Sequence, residues 1–390
     1  MIPTIMPVYS RSDITFDSGN GMYLFATNGL KYLDFGSGIA VNSLGHSHPH
    51  LINALKTQAD KLWHCSNLYH TIEQEKLANR LVKHSFADTV FFCNSGAEAI
   101  EGVIKIMRKY NFEIGHPERN RIIVMHNAFH GRTLATIAAG GQEKHLRGFA
   151  PIVEGFDRVI YGNIDELRKK IDSHTAGILV EPIQGEGGVV PASLEYLQKI
   201  RKIANEFSIL LALDEVQTGN CRTGKFYAYE WADIIPDLLG TAKGLGGGFP
   251  LGAILITERV ASKMTLGSHG STFGGNSLAM AVANATLDIM LSDGFLDHVQ
   301  EMGCLLWNTL ESLVKAHPKL FIDHRGVGLL QGIKCKISNI DVNKALISNG
   351  LLTVTAGDNV IRFMPPLIVE AKHIVEATNI VNTTCKNLLV

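Results

Sequence analysis

Short apolar runs alternate with helix-like segments through the middle of the chain. The runs are too short to be helices and contain few polar residues, which is typical of strands buried on both faces of a sheet. Between them lie amphipathic segments, such as residues 97–110 and 194–207, with apolar residues at helical spacing. This alternation predicts βαβ units and a mainly parallel sheet covered by helices. The predicted strands are residues 90–93, 122–125, 178–180, 209–213 and 251–256.

The two ends of the chain have a different character. Residues 21–35 alternate apolar and polar positions around Asn28-Gly29, which indicates a β-hairpin. After Ser277 two long helices are expected, and a mixed region of short strands and helices follows. The elements predicted there are helices at 277–291 and 296–316, a strand-like segment at 327–334, a helix at 342–348, strands at 351–355 and 360–364, and a final helix from Val369. We therefore predict a large α/β domain over 46–285 and a smaller α+β domain built from 1–45 and 286–390.

Charge and composition exclude several classes of protein. The 390 residues contain 36 Lys and Arg against 37 Asp and Glu, so there is no global positive field to attract a nucleic acid. No apolar run approaches the roughly 18 to 20 residues that span a bilayer. Residues 1–13 lack the basic and apolar regions of a secretion signal. We expect a soluble, cytoplasmic protein that binds neither nucleic acid nor membrane.

The cysteines and histidines do not predict a metal site. The six cysteines are scattered without CxxC spacing, which suits free thiols in a reducing compartment. His46, His48 and His50 lie close together, but the intervening Pro49 favours a polar turn, and no second group of ligands has a matching spacing. We expect neither a disulfide nor a bound metal.

Polar residues that follow the predicted strands are the candidates for chemistry, because ligands of open α/β sheets bind beyond the carboxyl ends of the strands. Ser95, Gly96 and Ala97 follow the first strand and lead into a helix, which would present backbone N–H groups and a positive dipole end to a phosphate. Taken alone, this motif is better explained as an ordinary helix N-cap. The prediction of an anion site therefore depends on the residues that follow the other strands.

Two further strand ends carry ionisable residues. Asp214 follows an entirely apolar run, and a carboxylate buried there requires a cationic partner, such as the protonated ring nitrogen of a cofactor. By itself, Asp214 is better explained as the cap of the next helix. Lys243 stands alone in the glycine-rich segment 240–250, where a bulky group has room to approach its amine. A buried lysine forms Schiff bases readily once its pKa is lowered.

Phe129 and Arg132 form the fourth candidate group. Phe129 offers an aromatic face for stacking, and the Arg132 guanidinium suits bidentate capture of a carboxylate. In isolation, Phe129 would be a core residue and Arg132 a solvated helix residue. The four groups together point to an enzyme site more strongly than any one of them.

These motifs resemble the class III aminotransferases of the pyridoxal-phosphate fold type I. The resemblance runs nearly from end to end of the chain. The matching segments are residues 38–46, 94–99, 129–133, 181–188, 214–217, 242–244 and 270–276. It implies a large domain with a mainly parallel, seven-stranded sheet, a smaller α+β domain made from both chain ends, and pyridoxal 5'-phosphate as the cofactor. The large domain would hold the cofactor.

The resemblance also assigns roles to residues. Lys243 would hold the cofactor aldehyde and later carry a proton, and Asp214 would pair with the pyridinium nitrogen. Gln217 would contact the ring hydroxyl, and Phe129 would stack on the ring. The residues implied in cofactor binding are Ser95, Gly96, Ala97, Phe129, Asp214, Glu215, Val216, Gln217, Lys243 and Thr272. Thr272 would reach the phosphate of the neighbouring subunit, so a homodimer with shared active sites is implied.

The implied substrate residues are Arg132, Ser271, Glu186 and Arg362. Arg362 resembles the arginine that holds an α-carboxylate in this class, and Glu186 resembles the glutamate that pairs with it when the amine substrate has no carboxylate there. The expected reaction moves the δ-amino group of N2-acetyl-L-ornithine to 2-oxoglutarate. The alternatives are ornithine, 4-aminobutyrate, succinylornithine or succinyldiaminopimelate as the amino donor, or an aminomutase reaction. Ile39 disfavours free ornithine, since ornithine aminotransferases have a tyrosine at the matching position.

Four positions depart from the family pattern. Ala26 replaces an aspartate, Asn220 and Cys221 replace Met-Gly, and Ser277 replaces a proline. None of them touches the predicted chemistry directly.

Overall fold

The computed structural model describes residues 2–388. The predicted alternation of short strands and helices through the middle of the chain is present, together with further strands that the apolar pattern did not predict. The strands are β1 Phe16–Asn20, β2 Tyr23–Ala26, β3 Lys31–Asp34, β4 Thr89–Cys93, β5 Arg121–Met125, β6 Phe156–Val159, β7 Thr175–Val180, β8 Ile183–Gln184, β9 Val190–Pro191, β10 Leu210–Asp214, β11 Leu238–Thr241, β12 Gly252–Ile256, β13 Phe321–Val327, β14 Leu330–Cys335, β15 Leu351–Leu352, β16 Val354–Ala356 and β17 Val360–Phe363.

The helices alternate with these strands in the middle of the chain and dominate after residue 276. They are α1 Ser37–Ala40, α2 Pro49–Ala59, α3 Ile72–Lys83, α4 Gly96–Glu113, α5 Leu134–Gly140, α6 Glu143–Leu146, α7 Ile164–Lys170, α8 Leu194–Glu206, α9 Glu258–Ala261, α10 Ser277–Met290, α11 Phe295–Ala316, α12 Asn339–Ser348 and α13 Ala371–Leu388.

A seven-stranded sheet forms the centre of the molecule. Its strand order is β4-β12-β11-β10-β7-β5-β6, and β12 is antiparallel to both of its neighbours while the pairs from β11 to β6 are parallel. The predicted mainly parallel sheet is confirmed. Two of its strands, β6 and β11, were not among the predicted ones. β6 has the sequence FDRV and lies at the sheet edge, where Asp157 pairs with Arg121, so it lacks an apolar run.

Burial on both faces explains why the central strands are apolar at every position. Leu211 and Leu213 of β10 pack into one hydrophobic cluster, while Leu210 and Ala212 pack into the cluster on the opposite face. Each large apolar side chain that is buried in this way contributes about 1.5–3 kcal/mol of transfer free energy. The carboxyl ends of these strands are thereby fixed in register, with Asp214 of β10 opposite Gly240 of β11.

Residues from both chain ends share the remaining sheets. Strands β1, β2 and β3 form a meander that β15 extends, with Leu33 opposite Leu351 in a parallel pair. A second sheet has the order β13-β14-β17-β16. The expected α+β region made from both ends is therefore present, and the domain boundaries at 45 and 285 stay a prediction. Within residues 2–388, no helix is long and apolar enough to cross a membrane.

The segment labelled α1 is a left-handed turn, which the sequence did not predict. Ser37, Gly38, Ile39 and Ala40 have φ values of 49°, 61°, 67° and 61°. Asp34 holds the start of the turn, because its Oδ1 accepts hydrogen bonds from the backbone N–H groups of Gly36 at 2.9 Å and Ser37 at 2.8 Å. The turn places Ile39 at the edge of the cavity described next.

Candidate active site

A cavity of about 590 Å³ opens beyond the carboxyl ends of the central strands. The loops that follow β4, β5, β7, β10 and β11 all contribute to its wall. Eleven of the residues that the sequence singles out line it: Ser95, Gly96, Ala97, Phe129, Arg132, Glu186, Asp214, Val216, Gln217, Lys243 and Arg362. The sheet thus gathers groups that lie far apart in the sequence into one volume, as expected for an open α/β fold.

Lys243 stands at the floor of the cavity in a short 3₁₀ turn, Lys243–Gly246, just after β11. Its backbone has a φ of 43°, in the left-handed region. Asn220 supports the preceding residues by donating from Nδ2 to Thr241 Oγ1 at 3.0 Å and to the Ala242 carbonyl at 3.1 Å. Burial, together with the positive charge of Arg362, lowers the pKa of Lys243 to about 8. About a tenth of the amine is therefore unprotonated and nucleophilic at pH 7, far more than for an ordinary lysine.

Asp214 is the last residue of β10 and is 5% exposed. Its Oδ2 accepts a hydrogen bond of 2.8 Å from His130 Nδ1, and its Oδ1 accepts one of 3.0 Å from the Val216 N–H. Burial alone would lower the pKa of His130, but the hydrogen bond and the charge of Asp214 raise it overall. His130 Nε2 is buried and has no partner within residues 2–388. The sequence motif contained His130, but its role beside Asp214 was missed.

Glu181 is a second residue that the sequence analysis left without a role. It lies one residue after β7 and lines the cavity, and its Oε2 accepts a hydrogen bond of 3.1 Å from the Phe129 N–H. Burial, opposed by the positive charge of His130, raises the pKa of Glu181 to about 8. Its carboxyl group is therefore mostly neutral near pH 7. The only signal for it in the sequence was a glutamate directly after an apolar strand, the same signal that identified Asp214.

The N-terminus of α4 forms one end of the cavity. Ser95 is the N-cap, with Oγ accepting a hydrogen bond of 3.2 Å from the Glu98 N–H. Gly96 follows at a point where a Cβ atom would stand 2.6 Å from Val216 Cγ1, so only glycine fits against the loop after β10. An 18-residue helix that begins here directs its dipole and free N–H groups at the cavity. Both the N-cap and the anion-site interpretation of this motif are compatible with this geometry.

Two arginines line the cavity in different environments. Arg362 on β17 is 4% exposed and donates from Nη2 to the Thr355 carbonyl at 3.0 Å and from Nη1 to Gln217 Oε1 at 3.5 Å. Burial lowers the pKa of Arg362 to about 10, a value at which the guanidinium stays charged near neutral pH. Arg132 is exposed at the cavity mouth, with its guanidinium carbon 5.5 Å from the centre of the Phe129 ring. The cavity therefore offers two cationic sites for carboxylates.

Glu186 lines the same cavity but does not pair with Arg362 within the described chain. Its Oε1 accepts a hydrogen bond of 2.9 Å from Lys144 Nζ, and its Oε2 accepts one of 3.0 Å from Gln142 Nε2. The predicted contact with Arg362 is thus replaced in this structure by contacts to Gln142, between α5 and α6, and to Lys144 on α6.

Three of the singled-out residues lie outside the cavity lining. Glu215 is fully buried on the other side of the strand end, where its carboxylate accepts hydrogen bonds from the N–H groups of Ala228 and Tyr229 at 2.7 and 2.8 Å. That placement supports a structural role and no contact with a cofactor. Ser271 accepts a hydrogen bond of 3.2 Å from Asn94 Nδ2 behind the cavity wall, and Thr272 is exposed. The predicted substrate contact of Ser271 and the predicted contact of Thr272 with the phosphate of the neighbouring subunit stay predictions.

The residues present fit pyridoxal phosphate. A buried amine of lowered pKa matches an aldehyde, a buried carboxylate matches a protonated ring nitrogen, and a helix N-terminus matches a phosphate. His130 in the cavity wall has a buried Nε2 atom without a hydrogen-bond partner among the described residues. No group of metal-ligating side chains is found in the part of the chain that the structure describes.

Comparisons with known proteins identify the family of the chain. The Aminotransferase class-III family profile matches residues 6–385. Acetylornithine aminotransferase 1 of Bradyrhizobium diazoefficiens is 55% identical over 98% of this chain and 95% of its own length. The chain belongs to the class III aminotransferases.

Solved structures give the same fold. The ornithine aminotransferase of Toxoplasma gondii is similar with a TM-score of 0.95 and 30% identity, covering 99% of this chain and 93% of that one. The acetylornithine aminotransferase of Elizabethkingia anophelis has a TM-score of 0.87 and 32% identity, covering 98% and 96%. One structure of the Toxoplasma enzyme contains pyridoxal phosphate at its active site. Because both enzymes share the fold, the backbone alone does not distinguish their substrates.

Proposed function

We propose that the protein transfers the δ-amino group of N2-acetyl-L-ornithine to 2-oxoglutarate, yielding N-acetylglutamate 5-semialdehyde and L-glutamate within arginine biosynthesis. The observation that carries this proposal is the 55% identity to an acetylornithine aminotransferase over 98% of the chain. The cavity supports it, because the amine, the carboxylate and the two arginines that the reaction requires line one volume. The enzyme is dependent on pyridoxal phosphate.

Lys243 is the residue that would hold the cofactor and move the proton. When bound, the cofactor supplies an electron sink for the bond that breaks at the substrate carbon. Lys243 Nζ, with a pKa of about 8, can take up a proton from that carbon and return it. A more basic amine would stay protonated near neutral pH, and a much less basic one would hold the proton too weakly.

Asp214 and His130 would keep the ring nitrogen protonated. The Asp214 carboxylate is buried and is oriented by His130 Nδ1 and by the Val216 N–H. A buried carboxylate in that position stabilises a positive charge placed against it far more than it would in water. His130 acts on the cofactor through Asp214 and is therefore a positioning residue in this proposal.

The two arginines would divide the carboxylates of the substrates between them. N2-acetyl-L-ornithine has one carboxylate next to a neutral amide, so a guanidinium at the mouth, Arg132, suffices for it. Glutamate and 2-oxoglutarate have two carboxylates, which require Arg132 and Arg362 together. Guanidinium forks bind carboxylates bidentately, which orients the substrate as well as attracting it.

We also propose that two copies of the chain form a homodimer. Residues 62–72 expose Leu68, Tyr69 and Ile72 with exposed fractions of 85%, 66% and 84%. Asn67 in this stretch donates to the carbonyls of Ser271 and Gly274 at 3.0 and 2.8 Å. The loop that carries Thr272 is thereby joined to an apolar surface, which is the arrangement needed to present Thr272 to a neighbour. All six cysteines are free thiols, which is compatible with our proposal of a cytoplasmic location.

Two measurements test the function. Borohydride reduction of the cofactor-loaded protein followed by peptide mapping should place the adduct on Lys243, and an adduct on another lysine would refute the assigned site. Amino-donor profiling with 2-oxoglutarate as acceptor should then rank N2-acetyl-L-ornithine above ornithine, 4-aminobutyrate and the succinylated donors. A preference for an unacetylated donor would refute the substrate while leaving the family assignment intact. Failure to exchange amino groups with any 2-oxo acid would favour an aminomutase.

A further inference from the structure

Glu186 has two competing cationic neighbours, and the structure records which of them it contacts. Its carboxylate lies in the wall that also contains Arg362, and its negative charge is the largest influence that opposes the burial-induced lowering of the Arg362 pKa. Yet its hydrogen bonds go to Lys144 and Gln142. Glu186 is therefore near enough to influence Arg362 while it is held by other residues.

Glu186 is held by Gln142, in the connection between α5 and α6, and by Lys144 on α6. Gln142 is anchored there, because its Nε2 also donates to the Ala128 carbonyl at 2.9 Å. Lys144 reaches in from the surface, with 58% of its side chain exposed, whereas 25% of the Glu186 side chain is exposed. The result for Arg362 is that its guanidinium donates only to the neutral oxygens of Thr355 and Gln217 within the described chain. The positive charge of Arg362 remains available to the carboxylate of a bound substrate.

We propose that Lys144, supported by Gln142, is a specificity-determining positioning residue: it holds and neutralises Glu186 so that Arg362 can accept a dicarboxylate substrate. This inference rests on the proposed function. Without Lys144, Glu186 retains its negative charge and finds its next cationic partner in Arg362. A substrate carboxylate then has to displace Glu186 from Arg362 and also meets its repulsion.

The two half-reactions should respond differently. Glutamate and 2-oxoglutarate require Arg362 in addition to Arg132, so they compete with Glu186 directly. N2-acetyl-L-ornithine has a single carboxylate, for which Arg132 is available, so Glu186 at Arg362 does not obstruct it. Removing Lys144 should therefore weaken the dicarboxylate substrates selectively. Exposed ion pairs are weak, so the change should be a few-fold rather than a loss of activity.

The experiment uses the cofactor-loaded enzyme and the variants Lys144→Met and Lys144→Arg. In Lys144→Met we expect KM for 2-oxoglutarate and for glutamate to rise about three- to fivefold, with kcat and the KM for N2-acetyl-L-ornithine unchanged. Lys144→Arg should restore the wild-type values. The matched control is Lys315→Met, which removes an exposed ion pair of 3.0 Å to Glu311 on α11 and should change none of these constants.

A second variant separates the proposed role from a general disturbance of the loop. In a Glu186→Gln background there is no charge for Lys144 to hold, so Lys144→Met should have no further effect on the KM for 2-oxoglutarate. The dissociation constant of 2-oxoglutarate, measured by cofactor absorbance without turnover, should follow the same pattern.

The outcomes distinguish this inference from the proposed function. If the wild type uses N2-acetyl-L-ornithine but Lys144→Met leaves the KM for 2-oxoglutarate unchanged, or raises the KM of both substrates equally, the role of Lys144 is refuted alone. The role is also refuted if Lys144→Met has its full effect in the Glu186→Gln background. If the wild type does not use N2-acetyl-L-ornithine, the proposed function fails first.

Discussion

Asp214, His130 and Glu181 form a buried group of ionisable side chains at the strand ends, and their charges are interdependent. His130 Nδ1 lies 2.8 Å from Asp214 Oδ2, and the negative charge of Asp214 contributes to raising the pKa of both His130 and Glu181. One net charge is easier to bury than two, so the arrangement keeps Glu181 mostly neutral while Asp214 is paired. This leaves Asp214 as the carboxylate that would face the cationic ring in the proposed function.

We predict that Glu181→Gln changes how stability depends on pH. The folded-state pKa of Glu181 is about 8 against an ordinary 4.5, so its contribution to stability is fully present below about pH 4.5 and is lost as the pH rises through about 8. Glutamine stays neutral, so the free energy of unfolding of the variant should not fall with the ionisation of this side chain. Relative to the wild type, the difference between the acidic and the alkaline end should be on the order of a few kcal/mol. Denaturant midpoints of the cofactor-free protein between about pH 5 and pH 9 measure it.

The control for that measurement is Glu301→Gln, because Glu301 is exposed on α11. Its curve should run parallel to that of the wild type. A parallel curve for Glu181→Gln as well would show that Glu181 does not titrate in this range.

We predict that Arg132→Lys discriminates between the two amino donors of the reaction. A lysine is a point charge and cannot reproduce the two parallel hydrogen bonds of a guanidinium. Losing one charge-assisted hydrogen bond typically costs about 1.5 to 3 kcal/mol, or roughly ten- to hundredfold in kcat/KM. N2-acetyl-L-ornithine should suffer this loss, and glutamate, held mainly by Arg362, should suffer less. Steady-state kinetics with both donors checks the ranking, and an equal loss for both would contradict the division of labour between the arginines.

The left-handed turn Ser37–Ala40 is the least regular element in the wall of the cavity. Three of its four residues have side chains, and a left-handed conformation costs an L-residue roughly 1–2 kcal/mol. The surrounding contacts offset that cost, among them Asp34, whose Oδ2 is 2.7 Å from His46 Nε2. Strain retained beside an active site is often there to position a side chain, and here that side chain is Ile39.

We predict that Ile39→Gly stabilises the folded protein. Ile39 has a φ of 67° and is 46% exposed, so glycine relieves backbone strain and removes little packing. The expected gain is about 0.5 to 1 kcal/mol in the free energy of unfolding, since the greater freedom of glycine in the unfolded chain offsets part of the relief. Chemical denaturation of the cofactor-loaded enzyme measures it. Ile160→Gly is the control, because Ile160 is 56% exposed without a left-handed backbone, and it should destabilise. Destabilisation by both would show that the turn is not strained.

The whole molecule has a nearly neutral charge balance, with a formal net charge of -1, so long-range electrostatics do not oppose self-association. One group of exposed apolar side chains lies in residues 62–72 and in the loop next to it, where Phe273 is 61% exposed and its ring centre lies 5.3 Å from that of His64. Surfaces of this kind are buried in stable assemblies.

We predict that the protein is a dimer in solution and that Leu68→Asp with Ile72→Asp makes it monomeric. Placing two charges in an apolar interface leaves them without partners when the interface closes. Sedimentation velocity measures the assembly, and the rate of cofactor loss should rise in the monomer because Thr272 of the neighbour no longer contacts the phosphate. Ile235→Asp, at a separate exposed position, should remain dimeric. A double variant that stays dimeric would place the interface elsewhere.

The apolar pattern was sufficient to predict most of the fold and the floor of the site. Strands buried on both faces must be apolar at every position, so a run such as residues 209–213 is visible without any tertiary knowledge. Because the site of an open α/β sheet lies at the carboxyl strand ends, Asp214 could be singled out from its position after such a run, and Lys243 from the glycine-rich segment around it. The edge strand β6 was missed because an edge position tolerates its charged pair, and polar residues there remove the signal.

The partners of the charged side chains were settled by the tertiary structure. His130 and Asp214 are 84 residues apart, Glu186 and Lys144 are 42 apart, and Arg362 and Gln217 are 145 apart. Local periodicity carries no information about such pairs, because each residue's own segment would form the same helix or strand with either partner. Adjacent residues also have different surroundings, since the side chain of Asp214 lines the cavity and that of Glu215 points away from it. Residue type and spacing thus indicated the chemistry of the site. The partner of each charged side chain was determined by the packing of distant segments, because only that packing decides which charges share a buried volume.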